Sequence, residues 1–165
     1  MDTPKLPTTP ERILEAARAV FLLRGYRAST VREICRRAGV NVAAINYHFK
    51  DKEGLVAAVL EGMLASAGEA YPMRMGISPG ASPETRLLAY VRSFLYRLLA
   101  CEDGTSPEQE VQLFAEVFFA SSSVLDRMVL KFFGPMRDEL VSILEEMLGP
   151  KIPSLVLRRC GLSIV

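Results

Sequence analysis

Three times along the chain a hydroxyl side chain, a proline and a glutamate follow one another: Thr9-Pro10-Glu11, Ser82-Pro83-Glu84 and Ser106-Pro107-Glu108. The hydroxyl can accept an orphan amide proton. Proline already has the φ of a first helical turn, and the acid sits at the positive end of the helix dipole. Apolar residues then recur at intervals of three and four: Ile13, Leu14, Ala17, Val20, Phe21; Leu87, Leu88, Tyr90, Val91, Phe94, Leu95, Leu98; Val111, Leu113, Phe114, Val117, Phe118. Such spacing lays one apolar stripe along a helix, and no segment reads as a strand. The chain is therefore predicted to be all-α.

Gly25 is expected to end the first helix, at about residues 10–24. Thr30 and Glu33 form a capping box for a second helix of about two turns that stops at Gly39. Asn41 can cap a third helix, Val42 to about Phe49, and Asp51 a fourth, Lys52 to about Tyr71. The segment MRMGISPGAS, residues 73–82, reads as a loop. A last long helix is expected from about Val124 to Leu148, kinked at Gly134-Pro135 and stopped by Gly149-Pro150. The chain ends at RRCGLSIV inside an apolar pattern, so the last helices are expected to be incomplete, truncated at the C-terminus.

Composition removes several functional classes. The 165 residues carry 20 Lys plus Arg against 19 Asp plus Glu and are 50% hydrophobic, the balance of an ordinary globular protein. No stretch approaches the roughly 18 apolar residues of a membrane-spanning helix, and the N-terminus lacks the pattern of a secretory signal. A cytoplasmic protein without membrane partners is expected. Cys35, Cys101 and Cys160 are too few and too widely spaced for a disulfide framework or a zinc site, and read as reduced thiols. With one histidine, no Gly-rich phosphate loop, no HExxH and no GxSxG, no catalytic residue, cofactor or metal site is expected, and the chain does not read as an enzyme.

The near-zero net charge conceals a division. Residues 1–53 hold ten Lys or Arg against six Asp or Glu, giving +4, whereas residues 54–165 hold ten against thirteen, giving −3. Within the basic part, the second and third helices and the turn at Gly39-Val40 form a bihelical unit with the spacing of a helix-turn-helix. Two short helices joined by a glycine are also a common packing corner, so the surface of the third helix decides. Turning Ile45 and Phe49 toward the core leaves Val42, Ala43, Asn46 and Tyr47 outward. Small methyl groups can approach thymine, asparagine can pair with adenine, and Tyr47 and His48 can reach phosphate oxygens. Arg36 and Arg37 either solvate the second helix or add long-range attraction, and Cys35 reads as a small core residue.

Residues 30–55, TVREICRRAGVNVAAINYHFKDKEGL, resemble the DNA-binding signature of the TetR family of bacterial transcription regulators. The wording NVAAINYHF is most similar to the YbiH-like (CecR-type) branch, and LFAEVFFASSSVLDRMVLKFFGPMRDEL echoes its C-terminal domain more loosely. The resemblance implies an N-terminal three-helix helix-turn-helix DNA-binding domain, residues 1–53, followed by a helical ligand-binding and dimerisation domain, residues 54–165, with the fourth helix as connector. It implies that Thr30 touches a phosphate, that Asn41, Val42, Ala43, Ala44 and Asn46 face bases, and that Tyr47, His48 and Lys52 grip the backbone. Many members carry an aromatic residue where this chain has Asn46, which turns that position toward a base contact.

The implied partners are a double-stranded DNA operator, a second copy of the chain in a homodimer, and an unidentified small-molecule inducer. The C-terminal part is rich in large apolar groups, whose default meaning is core. Met63, Tyr90, Phe94, Phe114, Glu116, Phe118, Met128 and Phe132 are the candidate pocket residues, with Glu116 placed either to orient a cationic group or to pair with an arginine. The rival to a ligand-released repressor is a helical adaptor that does not bind DNA.

Overall fold

The computed structural model describes residues 6–99 and 106–149, so the expectations for Cys101, Cys160, Pro150 and the terminal RRCGLSIV lie outside the described residues. Every regular element among the described residues is helical: α1 Thr9–Ala28, α2 Val31–Ala38, α3 Val42–Phe49, α4 Lys52–Ala70, α5 Pro83–Leu99, α6 Pro107–Ala120, α7 Ser122–Met128 and α8 Gly134–Leu148. A π-helical turn, Val129–Phe133, joins the last two. None of these helices is long and apolar enough to cross a membrane.

The cap–proline–acid triplets mark helix starts as read, with one shift of register. Ser82 and Ser106 place their hydroxyl oxygens 3.3 Å from the amides of Thr85 and Gln109, three residues into α5 and α6. At α1 the cap is Thr8 rather than Thr9, because Glu11 is then at the third helical position and accepts the Thr8 amide at 2.6 Å. Gly25 interrupts α1 rather than ending it. Its φ of 77° and ψ of 165° are open only to glycine, and a further turn reaches Ala28. The long final helix is divided rather than kinked. Pro135 has no N–H and its ring would press on the carbonyl four residues back. The chain widens ahead of it, and the Gly134 amide bonds to the Val129 carbonyl, five residues back.

The chain forms two compact units, Met1–Met63 with Gly104–Leu125, and Leu64–Asp103 with Asp126–Val165. In the first, Ile13, Ala17, Val20 and Phe21 of α1 are buried together with Ile34 and Cys35 of α2, Ile45 of α3, Leu55 and Leu60 of α4, and Leu113 and Val117 of α6. Each large side chain so buried contributes about 1.5–3 kcal/mol of transfer free energy. Polar contacts hold α6 in place. Arg18 pairs with Glu110 at 3.1 Å, and the Glu116 carboxylate accepts the amides of Tyr26 (2.8 Å) and Arg27 (3.4 Å), which the break at Gly25 has left without helical partners. A Cβ at Gly25 would stand 2.8 Å from both Glu116 oxygens. The buried Ser121 hydroxyl donates to Glu53 at 2.5 Å, and Ser123 donates to the same carboxylate oxygen. The two hydroxyls hold the Glu53 carboxyl below the usual range.

In the second unit Tyr90 of α5 is buried against Leu140, Ile143 and Leu144 of α8, with Met73, Leu87, Val91 and Met136 around them. Burial raises the Tyr90 hydroxyl above the ordinary phenol value. Beside this core Glu139 receives Arg74 through Nε at 3.0 Å and Nη2 at 3.1 Å, and Arg86 at 3.4 Å. The hydrogen bond from Arg74, then that from Arg86, holds the Glu139 carboxyl below its ordinary value.

A carboxyl whose folded pKa is depressed binds its proton less readily in the native than in the unfolded state. Its stabilisation is therefore present above the unfolded value, about 4.3, and is lost as pH falls through the folded value. Unfolding free energy from urea titrations at several pH values should decline below about pH 5, and less steeply in Glu139→Gln. Identical acid slopes in the two proteins would show that the Arg74 and Arg86 contacts contribute nothing.

Candidate nucleic-acid interface

The helix-turn-helix is assembled by local capping and one long-range clamp. Thr30 opens α2, its hydroxyl oxygen 3.2 Å from the Glu33 amide. The Glu33 carboxylate, instead of closing the box, pairs with Arg24 at 2.7 Å. Gly39 ends α2 in the left-handed region, φ 64° and ψ 41°, and the Val40 amide returns to the Cys35 carbonyl at 3.0 Å. Arg12 reaches this turn from α1, 26 residues away in sequence. Its Nη2 donates to the Ala38 carbonyl at 2.6 Å and to the Gly39 carbonyl at 3.3 Å. The guanidinium thus satisfies two orphan acceptors and places a cation at the negative end of the α2 dipole. A Cβ at position 39 would lie 2.9 Å from that Nη2 and would push the end of the Arg12 side chain aside, while the positive φ itself favours glycine.

Asn41 caps α3, its side-chain oxygen 3.0 Å from the Ala44 amide. Of the eight residues in α3 only Ile45 is fully buried; Phe49 and Ala44 are half-buried, while Val42, Ala43, Asn46, Tyr47 and His48 are exposed, Tyr47 to 85%. The outward face is the one read from the sequence. The Tyr47 and His48 rings meet edge to face at 4.8 Å. Both cap residues keep donors for a ligand: the Thr30 oxygen accepts an amide and retains its own proton, and Asn41 retains its NH₂.

The junction with α4 is tight. Lys50 adopts φ 73° and ψ −54°, and the Asp51 amide bonds to the Phe49 carbonyl at 2.9 Å, the geometry of a classic γ-turn. Asp51 caps α4 through the Gly54 amide at 2.7 Å. A Cβ on Gly54 would overlap the Phe49 carbonyl oxygen. Lys52, read as a backbone-gripping residue, donates from Nζ to the Ser29 carbonyl at 2.7 Å and lies 4.5 Å above the Tyr26 ring. Burial lowers its pKa, and the field of Glu116 partly restores it. Lys52 therefore ties the start of α4 to the residue before the α2 cap, with ammonium protons left over.

Arg36 and Arg37 are exposed and line, with Arg12 and Glu15, an open groove of about 430 Å³ beside the α2 terminus. The candidate pocket residues fall in both units: Met63, Phe114, Glu116 and Phe118 in the first, Tyr90, Phe94, Met128 and Phe132 in the second. Glu116 is engaged by the amides of Tyr26 and Arg27, and Tyr90 is core. Sequence reasoning missed Arg12 and Glu53, whose partners lie 26 and 68 residues away and leave no local pattern.

Three variants test this geometry. Arg12→Ala should lower stability by about 1–3 kcal/mol in denaturant titrations, the range for losing a hydrogen bond to a charged group and exposing its acceptors, with amide exchange quickening first around residues 38–42. Lys50→Gly should raise stability by about 1 kcal/mol by relieving the positive φ, whereas Gly54→Ala should lower it. A neutral Arg12→Ala would show that the turn holds itself.

Comparison with known proteins gives a consistent picture. Residues 13–59 match the bacterial regulatory proteins of the tetR family, and residues 83–165, half of the chain, match the C-terminal domain of the HTH-type transcriptional dual regulator CecR. The chain is 34% identical over 85 residues to the HTH-type transcriptional regulator BetI of Serratia proteamaculans, a match covering 52% of this chain and 43% of that protein. Among solved structures it resembles a transcriptional regulator from Rhodococcus (TM-score 0.66, 25% identity, 94% of this chain and 77% of that one). It shares its fold with the TetR family regulator PfmR from Thermus thermophilus (TM-score 0.65, 20% identity, 96% and 83%).

Proposed function

Because the chain belongs to the TetR family, we propose that it is a transcriptional repressor that binds a near-palindromic operator as a homodimer and is released by a small apolar or amphipathic inducer. The observation that carries this reading is the exposed face of α3, a surface of small side chains, an amide, a phenol and an imidazole on a helix-turn-helix. In this reading residues 1–53 meet DNA and residues 54–165 bind the inducer and the second subunit. Asn46 pairs with a base, Val42, Ala43 and Ala44 pass along base edges, and Asn41 donates from its amide NH₂. Thr30, Tyr47, His48 and Lys52 hold phosphates.

One recognition helix spans too few base pairs to be selective, so two copies read half-sites about one helical turn or a little more apart. An inducer acts only through its difference in affinity for the DNA-binding and the released conformations, so inducer and operator weaken each other by the same factor. The helix α4 runs from the recognition head at Lys52 to Ala70 and is the connector of this scheme.

Fluorescence anisotropy against a duplex selected from a random library, at several salt concentrations and with mass measured in parallel, tests the reading. Wild type should bind tightly, as two chains per site, and weaken steeply with salt. Lys52→Ala should lower the slope of log K against log salt by about one, while Asn46→Ala should leave the slope and cost about 1–3 kcal/mol of base discrimination. Salt-insensitive, sequence-indifferent association by a single chain would favour the adaptor instead.

A further inference from the structure

Arg97, in the second unit, is a half-buried cation without a counter-charge. Its Nε donates to the Tyr71 carbonyl at 2.8 Å and its Nη1 to the Met136 sulfur at 3.5 Å. Neither acceptor carries a charge, and among the described residues no carboxylate pairs with it. Glu139, whose field reaches the neighbouring Tyr90, is already held by Arg74 and Arg86. The contrast with Arg86 is informative: that guanidinium is also largely buried, and two carboxylates, Glu139 and Glu146, compensate it. Removing a guanidinium from water without an ionic partner is costly. Burial accordingly lowers the Arg97 pKa.

The capping of α4 accounts for only one edge of the group. The Ser93 hydroxyl, fully buried, also donates to the Tyr71 carbonyl, at 2.6 Å, so the end of α4 has a second cap. Of the five guanidinium N–H groups, Tyr71 and Met136 take two, leaving one on Nη1 and two on Nη2, so the Nη1–Nη2 edge keeps donors. On the α4 side this edge faces Gly68, where even a Cβ would lie 3.9 Å from Nη1, so a larger side chain would cover it. The surroundings are apolar and flat: the Tyr71 and Tyr96 rings stack at 5.4 Å and 26°, with Met136 beside the guanidinium.

We propose that Arg97 anchors the carboxylate of an otherwise apolar effector, whose hydrocarbon or aromatic part lies against Tyr71, Tyr96 and Met136. The inference rests on the effector-binding reading above and names its ligand class. A carboxylate supplies two oxygens matched to the remaining N–H edge and a single negative charge matched to a single cation, which a phosphate dianion would exceed. Because the same guanidinium bonds the Tyr71 carbonyl, a bound carboxylate shares the group that caps α4.

The test titrates the full chain by calorimetry with straight-chain carboxylates from butanoate to dodecanoate and with phenylalkanoates, each beside its primary amide. At least one carboxylate should bind about tenfold or more tightly than its amide. Arg97→Gln should abolish that preference while leaving amide binding in place, and Arg97→Lys should retain part of it. The amide is the internal control, since a variant that merely loosened the fold would weaken both ligands alike. Equal binding of acid and amide, an unchanged preference in Arg97→Gln, or no binding by any acid up to about 10 mM overturns the proposal. Operator anisotropy separates the two readings. Release of DNA by amides or cationic compounds but not by acids would refute the anion site and keep the effector reading. Carboxylate binding that depends on Arg97 but leaves operator affinity unchanged would do the reverse.

Discussion

The grip of Arg12 on the Ala38 and Gly39 carbonyls is the interaction on which the geometry of the helix-turn-helix depends. An eight-residue helix is far below the length at which helices persist alone in water, and α3 buries only Ile45 completely. Its direction must be imposed from its ends. At the first end stands the left-handed Gly39 turn, closed by a guanidinium that is both hydrogen-bond donor and counter-charge to the α2 dipole. At the second stands the γ-turn at Lys50, pressed so closely against α4 that position 54 has no room for a side chain. The exposed face between these ends can hold side chains that pack poorly because it is not asked to support the helix.

Most of the fold was legible because its signals are local. The cap and proline triplets, the Thr30 and Asn41 caps and the three-and-four spacing of apolar residues act over at most one helical turn, and the structure places helix starts within a residue of them. The outward set Val42, Ala43, Asn46 and Tyr47 followed from periodicity alone once Ile45 was turned inward. The final helix was harder. Gly134-Pro135 announces a disturbance, but whether the chain kinks or widens depends on which carbonyl accepts the Gly134 amide, and the pattern of residue types does not contain that choice.

What could not be read was where charged side chains end. Arg12, Lys52, Glu53 and Glu116 look like solvated or ligand-facing groups in a sequence, yet they bond to the Ala38 carbonyl, the Ser29 carbonyl, two serine hydroxyls and the Tyr26 amide. These partners are backbone groups or hydroxyls left over by broken or ended helices, and they exist only after the helices have packed. The break at Gly25 exposes amides and Glu116 of α6 fills them. Gly25 itself was recognisable, but nothing in its neighbourhood announces a carboxylate about ninety residues later. Short helices create orphan groups at their ends, and this protein answers them with long, charged side chains borrowed from other elements.

That rule also shows why the second unit treats its arginines unequally. Arg86 and Arg97 lie on the same helix, three turns apart, and both are withdrawn from water. Arg86 is closed into a network with Glu139, Glu146 and Arg74, where each charge meets an opposite one and further ligands have little to gain. Arg97 does the work of a cap, which Ser93 already performs without charge, and keeps its full positive charge beside stacked tyrosines. A neutral donor would cap the Tyr71 carbonyl at a smaller desolvation cost. The charge at position 97 is therefore explained by an electrostatic partner better than by the hydrogen bond it makes.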